Sequence, residues 1–547
     1  MRDTIYIASA ATLLGLKYIA AAQTSAYQPC PLLRAYYPAP EINKQTEAVK
    51  ALVADFTSLF DQLIESGGSE DFGQITANTT SFSVVLFSGS EGADGDSVFF
   101  EYHHVAPKAP VNSILDSNTV FPLGTLTQLF TVYSWLVEVG DEHWGTSITT
   151  LLPELTKASP ADLSVNWDEI TIGALAGQVS GLARDSYACV LNQPCNRADF
   201  LQKFSSQSPL FLPDTTPVIS NAAFQLLALA LESQYNSGSR DIETRTFDKI
   251  LSTGVFKPLN MTNSGLLVSE ENIQIFAQDL NASSVGERGA LAMFSTISDL
   301  ARAGHAMLSS RLISPAATRR WLQPVADTSN LRNAVGRPWE IYHAGQRANS
   351  SILDVFTKTG LIGHYASYFG LAPDFNAGFA ILAHDTGASR GPDLNVYADI
   401  VSLAIVQLQK LAAAEMAARY VGTFQGPTGT ATFNISDDGP GLLVSNLRAG
   451  ETDLLNEIAA AAGVEMENLD VRLYPSNVVT ETQHQFVAVF QDKSAPVDMG
   501  TPTCITWQNV GALGSGVGVR FVFDMNEFGQ ATKVTLAGGS LVLARIA

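Results

Sequence analysis

The chain has 547 residues, 46% hydrophobic and 16% charged, which allows two or three domains with sizeable cores and sets it apart from disordered chains. A formal net charge of -21, with no Lys/Arg run, argues against nucleic acid as a partner, because an acidic surface repels phosphate. At the N-terminus Arg2 gives a thin basic start, Ile5 to Leu16 is mostly apolar, and Ala20-Ala21-Ala22 offers small residues for cleavage before Gln23. Residues 1–22 therefore read as a signal peptide and the mature protein as secreted. A membrane-anchored N-terminus is the alternative; Lys17 interrupts the run of ~20 apolar residues that a spanning helix needs.

All four cysteines, Cys30, Cys189, Cys195 and Cys504, follow that cleavage point, and an even count in an exported chain suggests disulfides. Cys189 and Cys195 flank a short loop and are expected to pair, which leaves Cys30 for Cys504; buried free thiols are the other reading. Sequons at Asn78, Asn260, Asn281, Asn349 and Asn434 permit glycosylation in the same compartment.

Further along, residues 46–66 carry Val49, Leu52, Val53, Phe56, Leu59, Phe60 and Leu63 on one helical stripe. Phe82 to Phe87 and Ser97 to His103 read as strands around a Gly/Asp-rich turn. Phe121 to Val139 repeats apolar residues at helical spacing, and mixed helical and loop segments run to about residue 310. Phe356–Lys358 and Gly378–Ala383 read as strands separated by a glycine-containing turn, and Asn395 to Met416 as a long helix. One sheet then takes strands from both ends of a domain spanning residues 23–415, with helices between. Beyond it, short alternating segments such as Ala431 to Ile435, Gln485 to Phe490 and Ala531 to Ala547 predict an antiparallel β domain over 416–547. The expected class is α+β, an antiparallel sheet flanked by helices plus a C-terminal antiparallel β domain.

A series of short motifs falls in order across residues 80–410. Phe121-Pro122-Leu123-Gly124-Thr125-Leu126-Thr127-Gln128-Leu129-Phe130-Thr131 resembles a Gly-Ser-x-Ser/Thr-Lys nucleophile helix. Ala174 to Leu182 is similar to Leu-Leu-x-His-x-Ser-Gly-Leu, and Ile219-Ser220-Asn221-Ala222-Ala223-Phe224 to Tyr-Ser-Asn-x-x-Phe. Pro258 to Thr262 resembles Pro-Leu-Gly-Met-Thr, and Phe294 to Leu300 resembles Tyr-Ser-Thr-x-x-Asp-Leu. Lys358-Thr359-Gly360, with Gly363-His364-Tyr365-Ala366-Ser367 after it, matches a Lys-Thr/Ser-Gly strand and its turn. The ordered set resembles the serine β-lactamase and penicillin-binding-protein family. The cysteine layout and appended β domain look most like secreted fungal β-lactamase-like proteins.

That resemblance implies acyl transfer by a helix-borne serine, with a lysine one turn later as base and a tyrosine relaying protons. Here all three are replaced. Thr125 stands at the serine position, where its methyl stiffens and crowds the hydroxyl. Gln128 stands at the lysine position, and an amide takes up no proton near neutral pH. Ile219 stands at the tyrosine position, and Gln178 replaces a histidine. A positioned base is worth about 10²–10⁴-fold and these groups act as a unit, so efficient turnover by that route is not expected. Asn221, Lys358, Thr359, Gly360 and Ser367 remain to line a cleft, with Lys358 or His364 as substitute base, or with Lys358 only binding an anion and His364 only a loop residue. Trp339, Glu340 and Tyr342 are candidates for its rim, with core packing the alternative. The eight histidines are scattered apart from His103-His104, so no metal site is expected, and no dinucleotide or phosphate motif calls for a cofactor.

Three functions fit. One is a binding scaffold for a small molecule without turnover. Another is a hydrolase or acyltransferase using Thr125 with Lys358 or His364. The third is a protein recruited to specialised metabolism for non-acyl chemistry. The exchange of lysine and tyrosine for glutamine and isoleucine favours a lipophilic ligand with a carbonyl or carboxylate.

Overall fold

A computed structural model of the chain describes residues 30–34, 36–70, 73–91, 96–109, 114–157, 165–185, 196–238, 245–266, 287–344, 352–387, 390–436, 439–494, 506–510, 520–536 and 541–546. The expected signal peptide, Cys189, Cys195, Cys504, Asn281 and Asn349 lie outside these residues. The chain divides into two compact units. One consists of Glu41–Ala344 and Asp354–Gln407; the other runs from Leu408 onward and includes the stretches ending at Pro40 and at Leu353.

The first unit begins with α1 (Glu47–Ser66). The Thr46 side chain caps it by accepting from the Val49 N–H, and it ends at Gly67, whose φ of 72° suits glycine. Of its apolar stripe, Val49, Leu52, Phe56, Phe60 and Leu63 are buried, while Val53 and Leu59 at its margins are half-buried. Then come β1 (Thr80–Ser88), β2 (Val98–His104), β3 (Val120–Pro122), α2 (Thr127–Glu138), α3 (Asn221–Gly238), β4 (Met293–Thr296) and α4 (Ile297–Leu308). The rest of the unit supplies β5 (Ala326–Asp327), β6 (Asn333–Val335), β7 (Glu340–Ala344), β8 (Leu353–Ile362), β9 (Tyr365–Ala372), β10 (Ala377–Asp385) and the start of α5 (Asn395–Tyr420).

Eight strands form one sheet in the order β2-β1-β10-β9-β8-β7-β6-β5. Strands from both ends of the domain meet at the antiparallel pair β1–β10, where Leu86 faces Phe379 and Val84 faces Ile381. Every residue of β1 is buried, because helices cover both faces. Phe82 packs between Phe60 of α1 and Tyr397 of α5, both rings tilted to it, with centroids 6.0 and 4.8 Å away. Phe87, on the opposite face, presses so close to Gly304 of α4 that a Cβ there would lie 2.1 Å from the ring.

Two local expectations need correction. Between Phe356–Lys358 and Gly378–Ala383 lies a whole further strand, β9, and not a turn alone. All but one of its residues are buried, so it lacks the polar alternation that marks a half-exposed strand. The helix expected over Phe121–Val139 is shorter. Val120–Pro122 pairs with β4, Gly124–Leu126 forms a single 3₁₀ turn, and α2 starts at Thr127. α5 is also the one helix among the described residues long and apolar enough to cross a membrane, with a mean hydropathy of 1.4. Tyr397, Ile400 and Val401 of its first turns are buried, as are Met416 and Tyr420 near its end.

The second unit is built from β11 (Gly422–Gly426), β12 (Gly429–Ser436), β13 (Gly439–Ala449), α6 (Leu454–Ala462), β14 (Leu469–Val479), β15 (Gln483–Asp492), β16 (Arg520–Met525), β17 (Ala531–Leu536) and β18 (Leu541–Arg545). Their order is β12-β11-β18-β17-β16-β15-β14-β13, and β13 pairs back onto β12. The antiparallel sheet thus closes into a barrel, which removes its free edges. Phe424, Phe433, Phe486 and Phe523 fill the inside edge to face, with Phe433 and Phe523 centroids 5.4 Å apart. The run from Ala531 to the C-terminus contains two strands of this barrel.

Candidate active site around Thr125

Thr125 sits in the 3₁₀ turn that leads into α2, and two glycines hold that turn against β8. Gly124 adopts φ 57°, and a Cβ on it would lie 2.5 Å from the Leu361 carbonyl. A Cβ on Gly360 would lie 2.1 Å from the Leu123 oxygen and 2.7 Å from the Leu126 nitrogen. Neither site admits a side chain while turn and strand touch. Ser367 on β9 closes the contact by donating to the Leu123 carbonyl at 2.7 Å. The Thr125 hydroxyl consequently meets the strand backbone and donates to the Thr359 carbonyl at 3.2 Å.

Gln128 lies one turn further on the same face of α2 and is fully buried. Its Nε2 donates to Asn221 Oδ1 at 3.0 Å, and Asn221 Nδ2 donates to Asp185 Oδ1 at 2.6 Å. A carboxylate only accepts, so Asp185 fixes which way both amides point. The Gln128 Oε1 has no hydrogen-bond partner among the described residues. Asn221 opens α3, delivered by the loop that contains Ile219. Gln178, held at φ 61°, braces that loop: its carbonyl accepts from the Val218 N–H at 2.8 Å and its Nε2 donates to the Pro338 carbonyl at 2.9 Å.

Lys358 is fully buried. Its Nζ donates to Glu340 Oε1 at 2.5 Å and to the Thr359 carbonyl at 3.0 Å. The other oxygen of Glu340 accepts from the Thr359 N–H at 3.0 Å and from its hydroxyl at 2.8 Å. Glu340, the first residue of β7, thereby supplies the acceptor a neighbouring strand would have offered. Sequence reasoning placed Glu340 only as a candidate for the rim, because nothing in the local pattern links it to a lysine eighteen positions on. Thr359 has both backbone groups engaged, the N–H by Glu340 and the carbonyl by Thr125 and Lys358.

The remaining candidates separate. His364 forms, with Gly363, the two-residue turn between β8 and β9, and Gly363 supplies the positive φ at the first turn position. The His364 ring lies 6.1 Å from that of His384. Trp339 is core and not rim, wedged between Trp321 at 5.0 Å and Phe356 at 6.0 Å. Missed entirely was a stretch of exposed apolar residues, Leu210 (56%), Phe211 (48%) and Leu212 (68%). It lies on Gly181, whose carbonyl accepts from the Leu210 and Phe211 N–H groups. Leu361, directly after Gly360, is also exposed. Of the sequons, Asn78 and Asn260 are exposed, while Asn434 is half-buried and donates to Ser445 at 2.7 Å.

A fold with one sheet drawn from both chain ends, and a hydroxyl at a helix start facing a Lys-Thr-Gly strand, defines a class, and the comparisons agree. Residues 92–402 match the family model described as Beta-lactamase. Residues 412–547 match the model described as Beta-lactamase-like-like, C-terminal domain. The chain belongs to the β-lactamase family. It is 24% identical over 516 residues to a "Beta-lactamase-like protein" of Arthroderma benhamiae, covering 85% of this chain and 84% of that one. A relative from Phoma sp., named as a hydrolase, is 20% identical over 77% of this chain and 72% of its own length. Among solved structures, a class C β-lactamase superposes with a TM-score of 0.47 and 16% identity over 65% of this chain and 97% of that chain.

Proposed function

We propose that this is a secreted β-lactamase-family protein whose Thr125 cleft binds a lipophilic small molecule bearing a carbonyl or carboxylate, without efficient acyl transfer. The observation that carries this reading is the hydrogen-bond assignment of the site. The Thr125 proton points at a backbone carbonyl, which cannot take it. Gln128 is tied to Asn221 through its amide donor, and the Lys358 ammonium is engaged by Glu340. No group of the three stands ready to receive the proton that acyl transfer must remove. The exposed Leu361, directly after Gly360, supports a lipophilic ligand. Keeping the shaped cleft while losing the base suits recruitment to specialised metabolism, and the hydrolase-named relatives support a small-molecule role.

Secretion, glycosylation at the exposed Asn78 and Asn260, and a Cys30–Cys504 disulfide complete the proposal. Supporting the disulfide, Cys30 is buried with its Sγ 3.5 Å from Thr506 Oγ1, two residues beyond Cys504. N-terminal sequencing and non-reducing peptide mapping of the exported protein test these points.

The experiment on the site is intact-mass spectrometry after incubation with activated esters, penicillins and a fluorophosphonate, beside the double variant Thr125→Ser/Gln128→Lys. The expected result is no adduct on the wild type and one adduct on the double variant. An adduct at Thr125 in the wild type overturns the proposal. It would favour a second reading, in which Lys358 serves Thr125, since both donate to the same Thr359 oxygen; that adduct would then vanish in Lys358→Met.

A further inference from the structure

The two faces of β8 carry different side chains. Phe356 packs on Trp339 and Gly360 on the turn before α2, with Lys358 between them on the same face. Val355, Thr357 and Thr359 alternate with these and line a separate groove of about 450 Å³, bounded by β6–β10 and the first turns of α5. The volume is that of a small-molecule site. From α5 the groove takes Asn395, Asp399 and Ser402, positions i, i+4 and i+7 of one helical stripe. A helix laid on a sheet ordinarily turns an apolar stripe to it. Here the polar stripe borders the gap while Tyr397, Ile400 and Val401 are buried beside it.

The lining includes the carboxylates of Glu340, which is paired with Lys358, and of Asp399, and the phenols of Tyr342 and Tyr368; among the described residues it contains no lysine or arginine. Burial pushes the Tyr368 phenol up to about 12, so it stays a neutral hydroxyl at physiological pH. The rings of Tyr368 and Phe379 lie 5.6 Å apart and tilted by 31°, forming an aromatic wall next to the acidic groups. Among the described residues no group of three or more His, Cys, Asp or Glu could hold a metal ion, which directs the reading toward an organic cation.

We propose that this groove binds a small organic ammonium ion, its charge at Asp399 and its apolar body against Tyr368 and Phe379. The Asp399 carboxylate answers the charge, and aromatic faces favour a cation and its hydrocarbon neighbours over water. The proposal goes beyond the Thr125 reading and does not depend on it. It also connects the two, because Glu340 lines the groove and holds Lys358 with the same carboxylate.

The test is isothermal titration of the full-length protein with benzylammonium chloride, with benzyl alcohol as the neutral isostere. Saturable binding of the ammonium alone is expected. Asp399→Asn, a change of charge with little change of shape, should weaken it about tenfold, as loss of one partly exposed charge partner does. Ala398→Leu narrows the groove without touching a charge and should weaken it as well. Thermal unfolding establishes that both variants fold, and if Asp399→Asn does not, Ala398→Leu decides. Absence of saturation, equal binding of benzyl alcohol, or variants that bind as wild type would overturn the proposal. Acylation of Thr125 in the mass-spectrometric test would overturn only the earlier reading.

Discussion

Lys358 is fully buried, and Glu340 provides its carboxylate at 2.5 Å; replacing Glu340 by glutamine tests what that pair contributes. Glutamine keeps one acceptor and gains a donor. It can face its oxygen to the Lys358 ammonium or to the Thr359 N–H and hydroxyl, and in either orientation a donor meets a donor. Removing one partner of a buried ion pair costs about 3–5 kcal/mol. Glu340 keeps 30% of its side chain in solvent, so the low end applies, about 3 kcal/mol. At about 2 °C per kcal/mol for a domain of this size, the first unit should melt about 6 °C earlier. Lys358→Met removes the other partner but leaves a carboxylate that reaches water and keeps the Thr359 donors, so its cost should be about 1 kcal/mol. Calorimetry on wild type, both single variants and the double variant measures the order and the coupling. A Glu340→Gln variant within about 1 kcal/mol of wild type, or a Lys358→Met variant worse than it, would refute the reasoning.

Three further outcomes are expected. Gly360→Ala should destabilise the first unit by about 3 kcal/mol, the upper end for overpacking, because its Cβ meets backbone at 2.1 Å and backbone cannot swing aside; urea unfolding measures it. Phe523→Ala in the barrel should cost about 3–5 kcal/mol and leave the first unit's calorimetric transition where it was, since its aromatic partners among the described residues lie in the second unit. Burial, and then the positive Arg419, hold the His484 imidazole below its ordinary 6.5. As pH falls through that value the unfolded chain takes up the proton first, so barrel stability should drop by up to about 1.4 kcal/mol per pH unit until the folded value is reached. His484→Gln, followed by chemical unfolding at stepped pH, should flatten that slope, and an unchanged slope would exclude the assignment.

The architecture was legible where side-chain pattern and burial coincide. The α1 stripe and the alternating barrel strands each bury one face, so their periodicity reports the fold directly, while β1, buried on both faces, was legible as a short apolar run ending at a Gly/Asp-rich turn. β9 escaped because Tyr365–Ala372 is covered on both faces, and the start of α2 was misplaced because Phe121 and Pro122 are apolar for strand pairing, not for a helix. The placing of Thr125, Gln128, Asn221 and Lys358 at one site followed from ordered motifs. What decides their chemistry did not. The Glu340–Lys358 pair joins two strands, and Asp185 acts through Asn221 on Gln128; neither relation has a spacing that a sequence displays.

On the proposed reading, the same contacts let a site lose its base and keep its shape. Gly124, Gly360 and Ser367 hold the turn to the sheet, which positions the hydroxyl whatever that hydroxyl does. Asn221 presents Oδ1 toward position 128 because Asp185 claims its other end. That oxygen accepts equally from a glutamine amide or from a lysine ammonium. Exchanging lysine for glutamine at 128 therefore removes a proton acceptor while sparing a structural hydrogen bond, so selection on the fold does not resist the change. Glu340 completes the argument from the other side. With the Lys358 ammonium satisfied by that carboxylate, the buried charge at the strand stays paired whatever stands at 128.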